Sequence, residues 1–218
     1  MPIGIKGVKM RITDKKTKRP TKIIQFGAGV FLRGFFDWML QGANDAGFYN
    51  GNAVIVRSRT SGADPLEAQN FNYTHLARDG AHNEATIVDS IAGSLNASED
   101  YKGFLALAEN PDTDLIVSNT TEAGITYSAC EFPESECPES FPAKLCALLY
   151  RRYQKGLSPM LIVPCELIEN NADALKEIVL RHASDWKLEK EFFDYIEECS
   201  FRNTLVDRIV SGKPSEKI

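Results

Sequence analysis

The stretch from Ile23 to Gly34 constrains the fold of this chain more than any other part of the sequence. An apolar run ends in Gly27-Ala28-Gly29, and a helix-like pattern of apolar residues follows at once. In a dinucleotide-binding strand–turn–helix unit, the first glycine permits the tight turn and the second lets the backbone approach a pyrophosphate. The helix N-terminus offers unpaired N–H groups and the positive end of its dipole to the anion. The sequence therefore predicts a nucleotide site at this turn.

The helix predicted after the turn has an apolar residue at every fourth position, so one face would pack on a sheet. Those positions are Phe31, Phe35, Met39 and Ala43. The third position of the usual Gly-x-Gly-x-x-Gly pattern is Leu32, and the next small residue, Gly34, comes two places late. A purely structural turn is the alternative interpretation, and the strand–turn–helix context favours the nucleotide site.

A second short strand, Ala53–Val56, completes a β-α-β opening with parallel strands. The end of this strand usually decides the cofactor, because an acid binds the ribose hydroxyls of NAD whereas an arginine suits the 2′-phosphate of NADP. Here Arg57-Ser58-Arg59 follows the strand, and the first acid is Asp64. This pattern weakens the choice of NAD over NADP. We place Arg57 among the candidate cofactor-binding residues.

The rest of the chain alternates strands with helices, apart from residues 71–96. That stretch is predicted to be an antiparallel insertion or sheet extension, with Tyr73–Arg78 and Ala85–Ile91 as strands. The later predicted elements are a helix capped by Ser98, a strand at Asp114–Val117, a helix at Pro142–Gln154, a strand at Pro159–Val163, a helix capped by Asn171 and a helix at Leu188–Glu198. Four such units predict a Rossmann-like α/β domain over residues 23–218, with a doubly wound and mostly parallel sheet.

Charge separates a short N-terminal segment from the rest. Residues 1–22 contain eight Lys or Arg and one Asp, so the formal charge of this basic arm is +7. The net charge of the whole chain is −5, so residues 23–218 together carry −12. We expect a solvated arm and, for the acidic domain, no nucleic-acid partner. No apolar run approaches the roughly 18 residues of a membrane span. Five cysteines without C-x-x-C or metal-ligand spacing predict reduced thiols in a soluble cytoplasmic protein, with no metal site.

Five separate stretches resemble, in the same order, the polyol-specific long-chain dehydrogenases, a family that includes tagaturonate reductase (altronate oxidoreductase), mannitol 2-dehydrogenase and fructuronate reductase. They are IIQFGAGVFLRGF, SNTTEAGITY, PAKLCALLY, LIVPCELIENNADALKEIVLRHA and NTLVDRIVSGKP. The likeness runs from about Lys22 to Pro214, and TTEAGI and PCELI match the tagaturonate reductase branch best. The resemblance implies a metal-free, NAD-dependent reduction of D-tagaturonate to D-altronate in hexuronate breakdown.

The same resemblance implies roles for individual residues. It assigns Gly27, Gly29 and Arg33 to the pyrophosphate turn, and Ser118, Asn119, Thr120 and Thr121 to the nicotinamide side. We add Val30 and Phe31 as further candidate cofactor-binding residues. Glu122 matches a glutamate implicated in proton movement, and Asn203 matches an asparagine that polarises the substrate oxygen. A surface position for Glu122 and a turn or cap role for Asn203 are the alternatives.

Members of this family are much longer and carry a second, mostly helical domain with a catalytic lysine, a further asparagine and a histidine. No Lys-x-x-x-x-Asn-x-x-His pattern occurs after Asn203, and the three histidines lie outside that motif. We therefore expect the cofactor-binding domain alone, inactive by itself, with the missing C-terminal domain as its partner and a sugar acid as substrate. The alternatives are a fructuronate- or mannitol-type polyol dehydrogenase domain and a stand-alone nucleotide-binding module without catalysis.

Overall fold

A computed structural model describes residues 16–57, 62, 64–79, 82–120 and 124–212. Within them the strands are β1 (Thr21–Phe26), β2 (Asn52–Arg57), β3 (Tyr73–Asp79), β4 (His82–Val88), β5 (Ile91–Asn96), β6 (Leu115–Ser118), β7 (Leu161–Pro164) and β8 (Ser200–Phe201). The helices are α1 (Val30–Gly34), α2 (Phe36–Asp45), α3 (Tyr101–Leu107), α4 (Phe141–Gln154), α5 (Asn171–Asp185) and α6 (Lys190–Glu198). None of these described helices combines the length and hydrophobicity that a membrane span needs.

Six of the strands form one parallel sheet in the order β5-β2-β1-β6-β7-β8, which confirms the predicted doubly wound α/β fold. Strand β1 lies in the middle of the sheet, with β2 and then β5 on one side of it and β6, β7 and β8 on the other. Crossovers leave β1 and β6 in opposite directions, so a crevice opens at their carboxyl ends. Phe26 pairs with Ser118 there, so the glycine turn and the polar loop leave the sheet side by side.

Helices cover both faces of this sheet, as apolar parallel strands require. On one face, Phe26 of β1 packs with Phe104 of α3 and Leu148 of α4 in the larger core cluster. On the other face, Ile23 of β1 packs with Leu32 of α1 in a smaller cluster. Complete burial of one such side chain contributes about 1.5–3 kcal/mol. The two clusters therefore fix the end of β1 relative to the helix that follows it.

Strands β3 and β4 form the predicted antiparallel pair outside the main sheet. Their register pairs Tyr73 with Val88 and Asp79 with His82. The prediction that the second strand continues to Ile91 is wrong, because β4 ends at Val88 and Ile91 begins β5, which is parallel to β2 at the sheet edge. Strand β5 has the sequence IAGSLN, which contains small and polar residues and no apolar run, so the sequence pattern does not predict it.

The helix after the glycine turn is broken at Phe35, where φ −118° and ψ −79° separate α1 from α2. The buried positions include Leu32, Leu40 and Gln41. Met39, predicted to face inward, is 43% exposed. The predicted packing face is therefore wrong at Met39, because it assumed one straight helix, although Phe31 does pack against the smaller core cluster.

Two predicted helix caps are also wrong. The N-terminus of α3 is capped by Asp100, whose carboxylate accepts from the N–H of Gly103 at 2.8 Å, and not by Ser98. Asn171 is the first residue of α5, and its amide donates to carbonyls of the preceding loop. Asn170 precedes it in the left-handed conformation, φ 50°, and makes no side-chain cap bond. The first N–H groups of α5 therefore need an acceptor from another part of the chain.

The end of the basic arm lies against the domain. Nη1 of Arg19 is 2.7 Å from Oδ1 of Asp89, and both side chains are 8% exposed. The hydroxyl and N–H of Thr17 donate to Oδ2 of Asp89 at 2.8 and 3.1 Å. The expectation of a solvated arm is wrong for Arg19, whose side chain is largely buried against Asp89, whereas Thr17 and Lys18 are exposed. Residues 1–15 lie outside the described part of the chain.

Candidate functional site

The glycine turn joins β1 to α1 at the crevice. Gly27 has φ +117°, a conformation that residues with a side chain rarely adopt. A Cβ at this position would lie 2.6 Å from the backbone oxygen of Asn119, in the loop after β6. The N–H of Gly27 donates to the carbonyl of Val56 at 3.2 Å, so the turn is held between the ends of β2 and β6. Backbone conformation and close packing both require glycine here.

Gly29 is placed differently, because a Cβ at this position would meet no atom within 4 Å. Its backbone is extended, with φ −69° and ψ 160°, and α1 begins at the next residue. Val30 is 53% exposed, whereas Phe31 is half-buried, and the ring centroids of Phe31 and Phe35 are 5.4 Å apart. The space in front of Gly29 is therefore open beside the start of α1, and a phosphate group fits such a place.

Arg33 extends from α1 toward the segment that follows β2. Its Nη2 lies 3.6 Å from Oδ1 of Asp64; the side chain of Asp64 is 1% exposed and that of Arg33 is 22% exposed. The same oxygen of Asp64 accepts from the N–H of Leu66 at 2.9 Å. The first acid after the second strand therefore anchors a partly exposed guanidinium one helical turn beyond Gly29.

Arg57 ends β2, at the position that usually lies beside the adenosine ribose. It is 9% exposed, and its Nη2 donates to the carbonyl of Gly62 at 2.8 Å. The guanidinium therefore contacts the loop that follows its own strand. Ser58 and Arg59 lie outside the described residues, so a contribution from Arg59 stays a prediction.

One carboxylate ties the polar loop after β6 to the loop after β7. Glu166 is 2% exposed and accepts from Oγ of Ser118 at 2.9 Å, and from N and Oγ1 of Thr120 at 3.0 and 2.9 Å. Between them, Nδ2 of Asn119 donates to the carbonyl of Cys165 at 2.7 Å. The N–H of Asn119 donates to the last carbonyl of β1 at 2.9 Å. Three predicted cofactor-binding residues therefore lie together beside the glycine turn.

The other two predicted residues of this loop, Thr121 and Glu122, lie outside the described residues. They follow Thr120 directly in the sequence, and Thr120 is held at the mouth of the crevice. Their roles in cofactor binding and proton movement stay predictions.

Asn203 lies in the extended segment after β8 and is exposed. Its Oδ1 accepts from the N–H groups of Ala172 and Asp173 at 2.8 and 3.2 Å, and its Nδ2 donates to Oδ2 of Asp173 at 2.7 Å. The side chain therefore provides the cap of α5 that Asn170 does not. Two backbone N–H groups identify Oδ1 as the acceptor, and the bond to Asp173 uses one of the two N–H groups on Nδ2. The capping alternative is present, and the catalytic role stays a prediction.

A group of buried polar residues lies behind the turn. Asp37 of α2 has no exposed surface, and burial raises the pKa of its carboxyl to about 7. The hydroxyl of Tyr73, from β3, lies 2.7 Å from the carbonyl of Arg33 and 3.3 Å from Oδ2 of Asp37. Nε2 of Gln25, from β1, donates to the carbonyl of Gly27 at 3.1 Å. The β3–β4 pair is thereby connected to the helix that begins at the turn.

Sequence reasoning gave no role at this site to Glu166, Asn171 or Asp37. Glu166 lies just after β7, and an acid at the carboxyl end of a parallel strand is a signal that could have found it. Nδ2 of Asn171 donates to the carbonyl of Pro164 at 3.1 Å and to Oγ1 of Thr204 at 2.9 Å, which joins the loop after β7 to the segment after β8. For Asp37, no local pattern distinguishes a buried acid from an exposed one.

The region from residue 21 to residue 217 matches the family model described as the mannitol dehydrogenase Rossmann domain. The chain belongs to the mannitol dehydrogenase family. The match includes the whole parallel sheet, the glycine turn and the segment that carries Asn203. The resemblance to the polyol-specific long-chain dehydrogenases is thereby confirmed.

Curated relatives of this mannitol dehydrogenase family domain include altronate oxidoreductases. The protein of Halalkalibacterium halodurans is 40% identical over 217 residues, that of Bacillus subtilis 42% over 217, and that of Klebsiella pneumoniae 40% over 210. These alignments cover 94, 95 and 91% of the chain, but 42, 45 and 44% of the relatives. The chain therefore spans less than half the length of these relatives.

Solved structures agree on the fold. Mannitol 2-dehydrogenase of Pseudomonas fluorescens, in a ternary complex with NAD and D-mannitol, superposes with a TM-score of 0.76 at 20% identity, over 91% of this chain and 43% of that one. D-sorbitol dehydrogenase in substrate-free form gives a TM-score of 0.71 at 19% identity, over 84% of this chain and 41% of that one. At this level of identity, the similarity establishes the architecture of the mannitol dehydrogenase family domain.

Proposed function

We propose that this chain is the cofactor-binding domain of an oxidoreductase that reduces D-tagaturonate to D-altronate with NADH. Identities of 40–42% to altronate oxidoreductases of three genera support this choice within the family. The observation that carries the proposal is the geometry of the glycine turn. Gly27 is packed against Asn119, while Gly29 faces open space where β1 and β6 end. A dinucleotide requires such a combination of a closed turn and an open approach.

The proposal gives each half of the cofactor its own set of residues. Gly29, Val30, Phe31 and Arg33 would hold the pyrophosphate, and the loop that begins Ser118-Asn119-Thr120 would hold the nicotinamide end. The low exposure of Arg57 and its bond to Gly62 support NAD over NADP, because little of the guanidinium surface is left to meet a 2′-phosphate. The structural relative from Pseudomonas fluorescens was solved with NAD, in agreement with this choice.

Hydride transfer from NADH leaves negative charge on the former carbonyl oxygen of the substrate. The proposal assigns the hydrogen bond to this oxygen to Nδ2 of Asn203, which is exposed and has a second N–H group beside the one that donates to Asp173. Glu122 would move the proton, beside a catalytic lysine supplied by a second domain. That domain corresponds to the 55–58% of the altronate oxidoreductases that lies outside the matched region.

Activity measurements on a fusion enzyme test this function. Residues 1–218 would be joined to the remaining part of the Bacillus subtilis altronate oxidoreductase and assayed with tagaturonate, fructuronate and fructose, each with NADH and NADPH. We expect the fastest turnover with tagaturonate and NADH, and none from residues 1–218 alone. A fusion in which Asn203→Ala should lose about 100-fold or more in kcat.

Other outcomes identify the alternatives. Preferred reduction of fructuronate or fructose would contradict the tagaturonate assignment and favour a fructuronate- or mannitol-type enzyme. A chain that binds NADH but supports no turnover, while the complete Bacillus subtilis enzyme is active, would favour a module without catalysis. Equal rates with NADPH would contradict the preference inferred from Arg57.

A further inference from the structure

Glu166 is the one carboxylate that joins two loops at the mouth of the crevice in the described part of the chain. It is 2% exposed, and both of its carboxylate oxygens accept hydrogen bonds from the loop after β6. Its backbone carbonyl accepts from Nδ2 of Asn171 at 3.0 Å, so its own loop is also held in place. A buried acid with this many hydrogen-bond partners fixes the position of the loop residues that donate to it.

The bonds of Glu166 fix both ends of a three-residue segment. Oε2 accepts from the hydroxyl of Ser118, and Oε1 accepts from the N–H and the hydroxyl of Thr120. Asn119 lies between them, and its carbonyl oxygen would be 2.6 Å from a Cβ on Gly27. The N–H of Asn119 donates to the carbonyl of Phe26 at 2.9 Å, so the contact with the glycine turn has a backbone bond that does not depend on Glu166.

The two side-chain oxygens of Glu166 take part in all three of these bonds. All three groups donate toward Glu166, and a carboxylate is a side chain that accepts at both of its polar atoms. An alanine at this position would remove both acceptor oxygens, so the hydroxyl of Ser118 and the N–H of Thr120 would lose their bonds to Glu166. A glutamine would be a weaker test, because the hydroxyl of Ser118 can accept from an amide NH₂ group.

We propose that Glu166 is a positioning residue for the nicotinamide half of the dinucleotide and acts only through the Ser118–Thr120 segment, without touching the cofactor. This inference rests on the proposed function, because it takes the crevice as a dinucleotide site. It assigns the two halves of the dinucleotide to different parts of the crevice. The Ser118–Thr120 segment contributes to binding of the nicotinamide end, whereas the pyrophosphate and adenosine lie on the glycine turn and β2.

Calorimetric titrations of the 218-residue chain with NADH and with ADP-ribose, which lacks the nicotinamide, test this separation. In Glu166→Ala, the affinity for NADH should fall about tenfold or more, while the affinity for ADP-ribose stays within about twofold. The fluorescence of the bound reduced nicotinamide should also change. The matched control is Glu169→Ala, three residues further in the same loop and exposed, which should leave both affinities and the fluorescence unchanged.

Each contrary outcome has a definite meaning. Equal losses for NADH and ADP-ribose would show a merely structural role for Glu166, and no loss for either ligand would show no role. Wild type that binds ADP-ribose as tightly as NADH would overturn the inference alone. Wild type that binds neither ligand would overturn the proposed function and the inference with it. If Glu166→Ala does not fold, Ser118→Ala, which removes a single donor, must give the same difference between the ligands.

Discussion

The carboxyl group of Asp37 lies behind the glycine turn without any exposed surface. Burial raises the pKa of this carboxyl from 3.8 to about 7, against the lowering effects of hydrogen bonds from Tyr73 and Gln25 and of the charge of Arg33. The folded state therefore binds this proton more tightly than the unfolded state. The resulting stabilisation is fully present below pH 3.8 and is lost as the pH rises through about 7.

Replacement of Asp37 by asparagine should remove this pH dependence, because the amide is neutral at every pH. Between about pH 5 and about pH 8, the free energy of unfolding of the wild type should fall relative to that of Asp37→Asn. The fall should be about 1.4 kcal/mol for each pH unit that lies between the unfolded and the folded pKa of Asp37. Urea unfolding at the two pH values measures the change. Identical pH dependence in the two proteins would contradict the account.

Asp89 provides a control of opposite sign. Burial alone would raise the pKa of Asp89, but bonds from Arg19 and Thr17 outweigh burial and lower the pKa. Its contribution to stability is present above the unfolded pKa and is lost as the pH falls through the folded pKa. Asp89→Asn should therefore be less stable than the wild type at both of these pH values, whereas Asp37→Asn gains relative stability at the higher one.

At the scale of the element, residues 202–212 form an extended strap that follows β8. Alternate residues contact the domain: Val206 packs on the smaller core cluster, and Arg208 lies 4.6 Å from the ring centroid of the α2 tryptophan. The residues on either side of this pair face away, since Leu205 is 95% and Ile209 is 93% exposed. This period of two is that of a β-strand with one buried face, although the strap pairs with no strand among the described residues.

Serine substitutions at adjacent strap positions test this alternation. Leu205→Ser should change the free energy of unfolding by less than about 0.5 kcal/mol, because the side chain has no contacts to lose. Val206→Ser should cost about 1 kcal/mol or more, because it places a hydroxyl against the core cluster. Urea unfolding of the two variants compares them directly. A larger loss at Leu205 than at Val206 would show that the strap is oriented differently.

At the scale of the whole molecule, the sequence predicts what apolar runs and turns encode. The central strands and the glycine turn are confirmed because each combines an apolar run with a clear boundary. The break at Phe35 and strands β5 and β8 were missed, because a kink has no proline to mark it and these strands are polar or two residues long. The bond between Glu166 and Ser118 joins residues 48 positions apart, so it follows from the sheet order and not from a local pattern.

The molecule also has a second concavity, far from the crevice. It is lined by Tyr127, Arg181 and Trp186, and the guanidinium of Arg181 lies 3.5 Å from the ring centroid of Tyr127. Helix α5 begins beside the crevice and leads to this surface, and its 15 residues span about 22 Å. The two places are therefore far enough apart for a binding measurement to distinguish them.

Backbone amide NMR signals of the labelled 218-residue chain, followed during titration with NADH, show directly whether NADH binds at the glycine turn. We expect saturable shifts at Gly27–Arg33 and Ser118–Thr120, with small shifts elsewhere. In Gly29→Val, whose side chain would fill the open approach, these shifts should disappear while the other signals stay in place. Shifts confined to Tyr127, Arg181 and Trp186, or no shifts at all, would contradict binding at the glycine turn.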